Sequence, residues 1–183
     1  MKWLIASDLH GSFESCQKIW EAYEREGADK LLLLGDVLYH GPRNDLPQGY
    51  EPKKVIASLN ERKEEILCVR GNCDTEVDQM VLEFPILAEY AILTLGNRVI
   101  FATHGHKFNK DNLPMLKEGD ILLHGHTHVP TWNEENGIYV FNPGSTTIPK
   151  ASSEKGYMTL EDGLFCWKTL SGTEYQRVLL TSK

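Results

Sequence analysis

"KWLIASDLHG" (residues 2–11) sets the reading of the whole chain. A short apolar run gives way at once to Asp8 and His10, with Gly11 behind them. Such a run, bounded by turn signals, reads as a buried strand. A carboxylate and an imidazole just past its end stand where open α/β sheets bind ligands. The pattern recurs four times. "KLLLL" (30–34) is followed by Gly35 and Asp36, and "EILCVR" (65–70) by Gly71, Asn72, Cys73 and Asp74. "RVIFAT" (98–103) is followed by His104, Gly105 and His106, and "DILL" (120–123) by "HGHTH", which holds His124, His126 and His128. Five strand ends therefore deliver carboxylate, carboxamide or imidazole groups, and these are expected to converge although they span residues 8 to 128. The neighbouring glycines permit sharp turns directly after each strand.

The segments between these strands complete the pattern. Ser12 is an N-cap, Phe13, Cys16, Ile19, Trp20 and Tyr23 follow at helical spacing, and Gly27 stops the helix. Residues 35–51 read as a long loop, and Pro52 opens a second helix with Val55, Ile56 and Leu59 on one face. The spacing of Val77, Met80, Val81 and Phe84 predicts a third helix over 74–84. Beyond Pro85 the chain reads as short strands, with a hairpin at Gly96-Asn97 and turns at "ENG" and "EDG". A βαβαβ half followed by a mostly antiparallel half is read as one α/β domain over residues 1–183, with two packed sheets.

Composition narrows the partners. Nineteen Lys and Arg against 26 Asp and Glu leave a formal charge of −7. That disfavours duplex nucleic acid, whose binding leans on clustered cations, but leaves room for a small phosphate ester held by metal. The first apolar run is too short for a signal segment or a membrane span, so no membrane partner is expected. The four cysteines, Cys16, Cys68, Cys73 and Cys166, form no CxxC pair, so a cytoplasmic protein with reduced thiols is expected. The apolar content of 85–100 points to a homo-oligomer, a dimer or tetramer.

Asp and Asn oxygens with several imidazoles suit Mn²⁺, Fe²⁺, Ni²⁺ or Zn²⁺. Taken singly, Asp-x-His, Gly-Asp and Gly-Asn are commoner as turns and caps than as ligands; the weight lies in their joint placement at strand ends. Seven donors exceed one tetrahedral site and suit two ions sharing a bridging carboxylate. Paired ions about 3.5–4 Å apart clamp an in-line displacement at phosphorus.

Asp8-Leu-His10, Gly35-Asp36, Gly71-Asn72, His104 and Gly125-His126-Thr-His128 resemble, in order and spacing, the five signature blocks of the calcineurin-like metallophosphoesterases. "GDVLYHGPRNDLP" (35–47), "RGNCD" (70–74), "THGH" (103–106) and "FNPGS" (141–145) are similar to the small bacterial phosphodiesterase branch. The resemblance implies two stacked mixed β-sheets flanked by helices, with a dinuclear centre above the strand ends. It assigns Asp8, His10 and His128 to one metal, Asn72, His104 and His126 to the other, and Asp36 to the bridge. Mn²⁺ is the foremost candidate ion. By the same pattern neither His106 nor His124 is a ligand; His124, at the strand end, is read as packed or as supporting a ligand, and His106 as a candidate near the substrate.

One departure bears on the activity. Many family members carry His after the Gly-Asn pair; this chain has Cys73. A thiol is a weak hydrogen-bond donor with an ordinary pKa of about 8.5, and cannot replace an imidazolium beside a phosphoryl group. The reading is therefore a phosphoric diester hydrolase that acts on a small phosphodiester through a metal-activated hydroxide. Asn72 and Arg43 are candidates for stabilising the transition state, with Cys73 and His106 as further candidates at the site. Asp74 is read either as orienting a histidine or as a helix N-cap. Two alternatives stay open: a phosphomonoesterase of the same fold, and a non-catalytic interaction scaffold.

Overall fold

The computed structural model describes residues 1–181. Its first sheet is built on β1 (Trp3–Ala6), β2 (Lys30–Leu33) and β3 (Ile66–Cys68), which pair in parallel. Two crossover helices join them, α1 (Phe13–Glu26) and α2 (Pro52–Asn60). Three of their four ends follow from local chemistry. The Ser12 hydroxyl accepts from the Ser15 backbone N–H, Gly27 closes α1 in the left-handed conformation, and Pro52 occupies the first turn of α2. The chain returns late to this sheet, adding β9 (Gly156–Glu161), β10 (Leu164–Thr169) and β11 (Glu174–Leu179) to give the order β11-β10-β9-β1-β2-β3.

The second sheet holds β4 (Tyr90–Leu95), β5 (Arg98–Thr103), β6 (Ile121–Leu123), β7 (Thr131–Glu135) and β8 (Ile138–Asn142), in the order β4-β5-β6-β8-β7. It is mixed, because β5, β6 and β8 pair in parallel while β4 and β7 flank them antiparallel.

Side-chain alternation along the strands makes two cores. Leu4, Ala6, Leu31 and Leu33 face α1 and α2 and meet Cys16, Ile19, Tyr23, Val55 and Leu59. Ile5 and Leu32 face the opposite way, together with Trp167 of β10, against Ile100, Ile121, Leu123 and Phe141 of the second sheet. The period of two thus fixes which side chains knit the sheets together. The outer face of the second sheet buries Phe101, Leu122, Ile138 and Val140 under Phe108, Leu113 and Leu116. Those three belong to an irregular segment, so the expected helices flank the first sheet and not the second.

Two further elements differ from the sequence reading. The third helix, α3, covers only Glu76–Gln79, opened by a Thr75/Asp78 capping box. Val77, Met80 and Val81 are 68%, 83% and 42% exposed instead of buried. Leu82, Phe84 and Ile86 are buried in their place, at a spacing of two. The polar strand β7 was not expected, since Thr131–Glu135 shows no apolar alternation and pairs only with β8. Among the described residues, no helix is long and apolar enough to cross a membrane.

Candidate active site

The loops after β1, β2, β3, β5 and β6 meet at one end of the two sheets. Five of the residues they bring there adopt left-handed backbone, a region that non-glycine residues seldom enter: Asp8 (φ 58°), His10 (47°), Asp36 (55°), His126 (66°) and His128 (61°). Each costs roughly 1–2 kcal/mol against ordinary backbone. Cross-loop hydrogen bonds hold some of them there, with Asp8 N–H donating to the Gly35 carbonyl (3.2 Å) and His10 N–H to the Asp36 carbonyl (2.9 Å). The close approach also requires glycine. A Cβ on Gly71 would stand 2.1 Å from Asp36 Oδ1, and one on Gly125 would stand 1.9 Å from Ser7 Oγ.

The polar groups divide their atoms between frame and centre. Three imidazoles donate Nδ1–H to backbone carbonyls: His10 to Tyr39 (2.7 Å), His104 to Leu34 (2.7 Å) and His128 to Ile148 (2.6 Å). A carbonyl can only accept, so in each neutral ring Nε2 is left with a bare lone pair. The carboxylates behave alike. Asp8 Oδ2 accepts from Ser7 Oγ (2.6 Å) and His126 N–H (3.1 Å), and Asp36 Oδ1 accepts from Cys73 N–H (2.8 Å).

The remaining atoms converge. Asp8 Oδ1 lies 3.2 Å from His128 Nε2 and 3.7 Å from His10 Nε2. Asp36 Oδ2 lies 3.7 Å from His10 Nε2 and 3.5 Å from His104 Nε2. His104 Nε2 in turn is 3.0 Å from Asn72 Oδ1 and 3.2 Å from His126 Nδ1.

This donor set fits divalent cations. Asp8 Oδ1 is buried and lacks a hydrogen-bond donor, and the Nε2 lone pairs of His10 and His128 face each other at 3.4 Å. Lone pairs repel at that distance unless a proton or a metal lies between them. Three compact groups, Asp8/His10/His128, Asp8/Asp36/His104 and His10/Asp36/Cys73, each hold their donor atoms within 4.8 Å of one another. Imidazoles anchored through Nδ1 are the usual state of metal-binding histidine. The electrostatics agree. Burial would raise the Asp8 and Asp36 carboxyls, but the adjoining imidazoles outweigh it and hold both below the usual carboxylate range. Burial would lower His104, but its bond to Asp36 and the Asp8 and Asp36 charges hold it at about 9. Burial and the neighbouring His104 push His126 down.

A cavity of about 540 Å³ opens onto this cluster, lined in part by His10, Asp36, Asn72, Cys73, His126 and His128. Arg43 and Lys150 also line it, and neither side chain has an ion-pair partner among the described residues. Lys150 was not foreseen. It lies far along the chain, in an irregular stretch without periodicity, and reaches the site because its N–H donates to the His128 carbonyl (3.1 Å).

Cys73 is buried at the cavity wall, where its Sγ accepts from Asn72 Nδ2 (3.2 Å). Burial, then the charge of Asp36, pushes the thiol well above its ordinary value, so it stays neutral. His106 does not line the cavity. Its ring sits 5.4 Å from His104 and 6.3 Å from His126, and its buried Nδ1 lacks a hydrogen-bond partner. His124 belongs to none of these groups; its Nδ1 lies 3.0 Å from the Gly125 carbonyl.

Asp74 takes neither role expected of it. Thr75 is the helix cap, and the Asp74 carboxylate accepts from the backbone N–H groups of Asp36 (2.8 Å), Val37 (2.9 Å) and Gly71 (2.7 Å). It staples the loops after β2 and β3 to each other, and burial raises it to about 6.

The calcineurin-like phosphoesterase superfamily domain matches residues 1–162, and the chain belongs to that superfamily. Within it, the chain is 48% identical over 162 residues to phosphodiesterase YfcE of Escherichia coli strain K12, which spans 88% of each sequence. The solved structure of YfcE, a phosphoesterase from E. coli, superposes with a TM-score of 0.94 at 44% identity, over 97% of this chain and 98% of that one. Zinc-complexed wild-type Vps29 from Entamoeba histolytica shares the fold at a TM-score of 0.59 and 22% identity, over 97% of this chain and 98% of that one.

Proposed function

We propose that the chain hydrolyses small phosphodiesters at this centre with two divalent ions, Mn²⁺ foremost and Fe²⁺, Ni²⁺ or Zn²⁺ as alternatives. Asp8, His10 and His128 would hold one ion, Asn72, His104 and His126 the other, with Asp36 shared between them. The observation that carries the reading is the division of donors. Each anchored imidazole and carboxylate spends one polar atom on the backbone frame and keeps the other for the centre. Bound ions of this kind supply a nucleophilic water at neutral pH and offset phosphoryl charge.

The chain's own groups do the rest. The Nδ1 anchors fix the ring planes, so little reorganisation accompanies the reaction. Arg43 and Lys150, free of acidic partners, are placed to bind the oxygens of an anionic ester at the cavity mouth. Asn72 can donate through Nδ2 while its Oδ1 faces His104.

The preference for diesters rests on Cys73. A neutral thiol adds no positive charge beside the phosphorus, and a dianionic monoester loses more by that lack than a monoanionic diester. The similarity to a protein named phosphodiesterase over most of the chain supports the same choice. The four cysteines are free thiols, which suits a cytoplasmic setting.

The test compares chelated and Mn²⁺-reloaded protein on bis(p-nitrophenyl) phosphate and on p-nitrophenyl phosphate. Loss of diester turnover on chelation, its return with Mn²⁺ and a weaker monoester rate are expected. Full activity after exhaustive chelation, or a faster monoester, overturns the reading.

A further inference from the structure

Beside the active-site cavity lies a second groove of about 340 Å³, and Cys73 lines both. The groove is walled by Tyr39, Tyr50, Ile56, Val77 and Val81. Val77 and Val81 come from the segment after β3 whose apolar side chains the sequence places in the core and the fold leaves in solvent. Exposed apolar groups that gather around one concavity mark a binding surface more often than scattered ones do.

We infer that this groove is a subsite for an aromatic ester substituent of the substrate, reached from the dinuclear centre past Cys73. The inference rests on the phosphodiesterase reading above, because it is the second ester group of a diester that needs a place. The lining residue shared with the catalytic cavity, Cys73, argues for part of the substrate as occupant rather than a separate partner. A small side chain at 73 keeps the partition between them thin, and an imidazole there would thicken it.

The chemistry of the walls favours a flat ring. His40 lies between two tyrosines, 4.8 Å from Tyr39 and 5.3 Å from Tyr50 by ring centroid, so the tyrosine wall is braced as an aromatic cluster. Lys53 and Asp78 supply polar groups along the same groove for a ring with polar edges. The volume lies near the lower end of the roughly 300–1,000 Å³ typical of ligand pockets, which suits one aromatic group better than a long acyl chain. The Tyr39 carbonyl also accepts from His10 Nδ1 (2.7 Å), so the groove wall and the metal cluster share a backbone support.

The experiment uses three p-nitrophenyl diesters whose second ester group is methyl, cyclohexyl or phenyl, each rate divided by its uncatalysed hydrolysis rate. The phenyl ester should exceed the methyl ester about tenfold in kcat/KM, mainly through KM. Val77→Asp and Val81→Asp should collapse that ratio, whereas Met80→Asp, exposed but outside the groove, should keep it. An unchanged ratio in both valine variants overturns the subsite, and a cyclohexyl ester as good as the phenyl ester overturns its aromatic character. A second readout is independent of turnover. Diphenyl phosphate, but not dimethyl phosphate, should shift the backbone amide resonances of residues 39, 53, 77 and 81 in the metal-loaded protein. If no diester turns over, the phosphodiesterase reading fails, and these shifts alone decide the groove: their presence supports it and their absence overturns it.

Discussion

Gly71→Ala isolates one of the two closest approaches at the centre. Gly71 does not adopt positive φ, so the substitution tests contact without backbone conflict. The new Cβ would lie 2.1 Å from Asp36 Oδ1 and 2.3 Å from Asp36 N. Ordinary contact begins near 3.4 Å, so the groups have to separate by 3.4 − 2.1 = 1.3 Å. Neither neighbour is free to yield. Asp36 Oδ1 is bonded to Cys73 N–H, and Asp36 N–H to the buried Asp74 carboxylate. Relief breaks about two buried hydrogen bonds at about 1 kcal/mol each, beyond an overpacking cost of about 1–3 kcal/mol. The expected loss is about 3–5 kcal/mol, with the Asp36 carboxylate displaced by about 1 Å. Urea unfolding of metal-free protein measures the first effect, and metal content after dialysis the second. Gly27→Ala is the matched control, since its Cβ meets nothing within 4 Å but its φ is +60°. That variant should lose about 1–2 kcal/mol and keep its metal. A Gly71→Ala protein within 0.5 kcal/mol of wild type, with wild-type metal content, would refute the packing argument.

Three other outcomes are expected. Cys73→His should raise the monoester-to-diester rate ratio severalfold; an unchanged ratio means that position 73 does not set the preference. In metal-free protein His104 is held at about 9, and only a neutral imidazole binds metal, so loading below that pH expels a proton. Metal affinity should therefore rise from pH 7 toward 9 and then level off, and the calorimetric binding heat should depend on the buffer's ionisation heat; buffer-independent heats would count against it. Glu26 accepts from Tyr157 OH (2.7 Å) and Lys168 Nζ (2.8 Å), which outweighs burial and lowers its pKa from 4.5. Its stabilisation is thus present above the unfolded value and lost as pH falls through the lower folded one. Glu26→Gln should cost about 2 kcal/mol at pH 7 and much less near pH 3; equal losses at both would contradict the linkage.

Much of this architecture is legible in the chain because local signals and tertiary needs coincide. Ser12 and Gly27 bound α1 by hydrogen-bond chemistry that needs no partner. The donor-bearing strand ends are legible only jointly, because each alone reads as a turn or cap while five at successive strand ends point to one place. The segment after Asn72 is not, because Val77, Met80, Val81 and Phe84 satisfy a helical period while Leu82, Phe84 and Ile86 satisfy a period of two. The fold honours the second, since Phe84 belongs to both and the core lies on the side reached by alternation. β7 escapes notice because an edge strand with polar side chains carries no hydrophobic code. Its signal lay in the turn, where Asn136 and Gly137 both take positive φ, as a tight hairpin requires. Lys150 and the role of Asp74 depend on backbone atoms of distant loops, which side-chain patterns do not report.

The left-handed backbone of Asp8, His10, Asp36, His126 and His128 has an evolutionary consequence. At roughly 1–2 kcal/mol each, these five positions withhold an amount comparable to the whole margin by which a small protein stays folded. Glycine or asparagine at several of them would relax the chain and make it hardier. Selection for heat resistance alone would therefore erode the centre first, and a lineage released from catalysis would gain robustness by the same substitutions that disarm it.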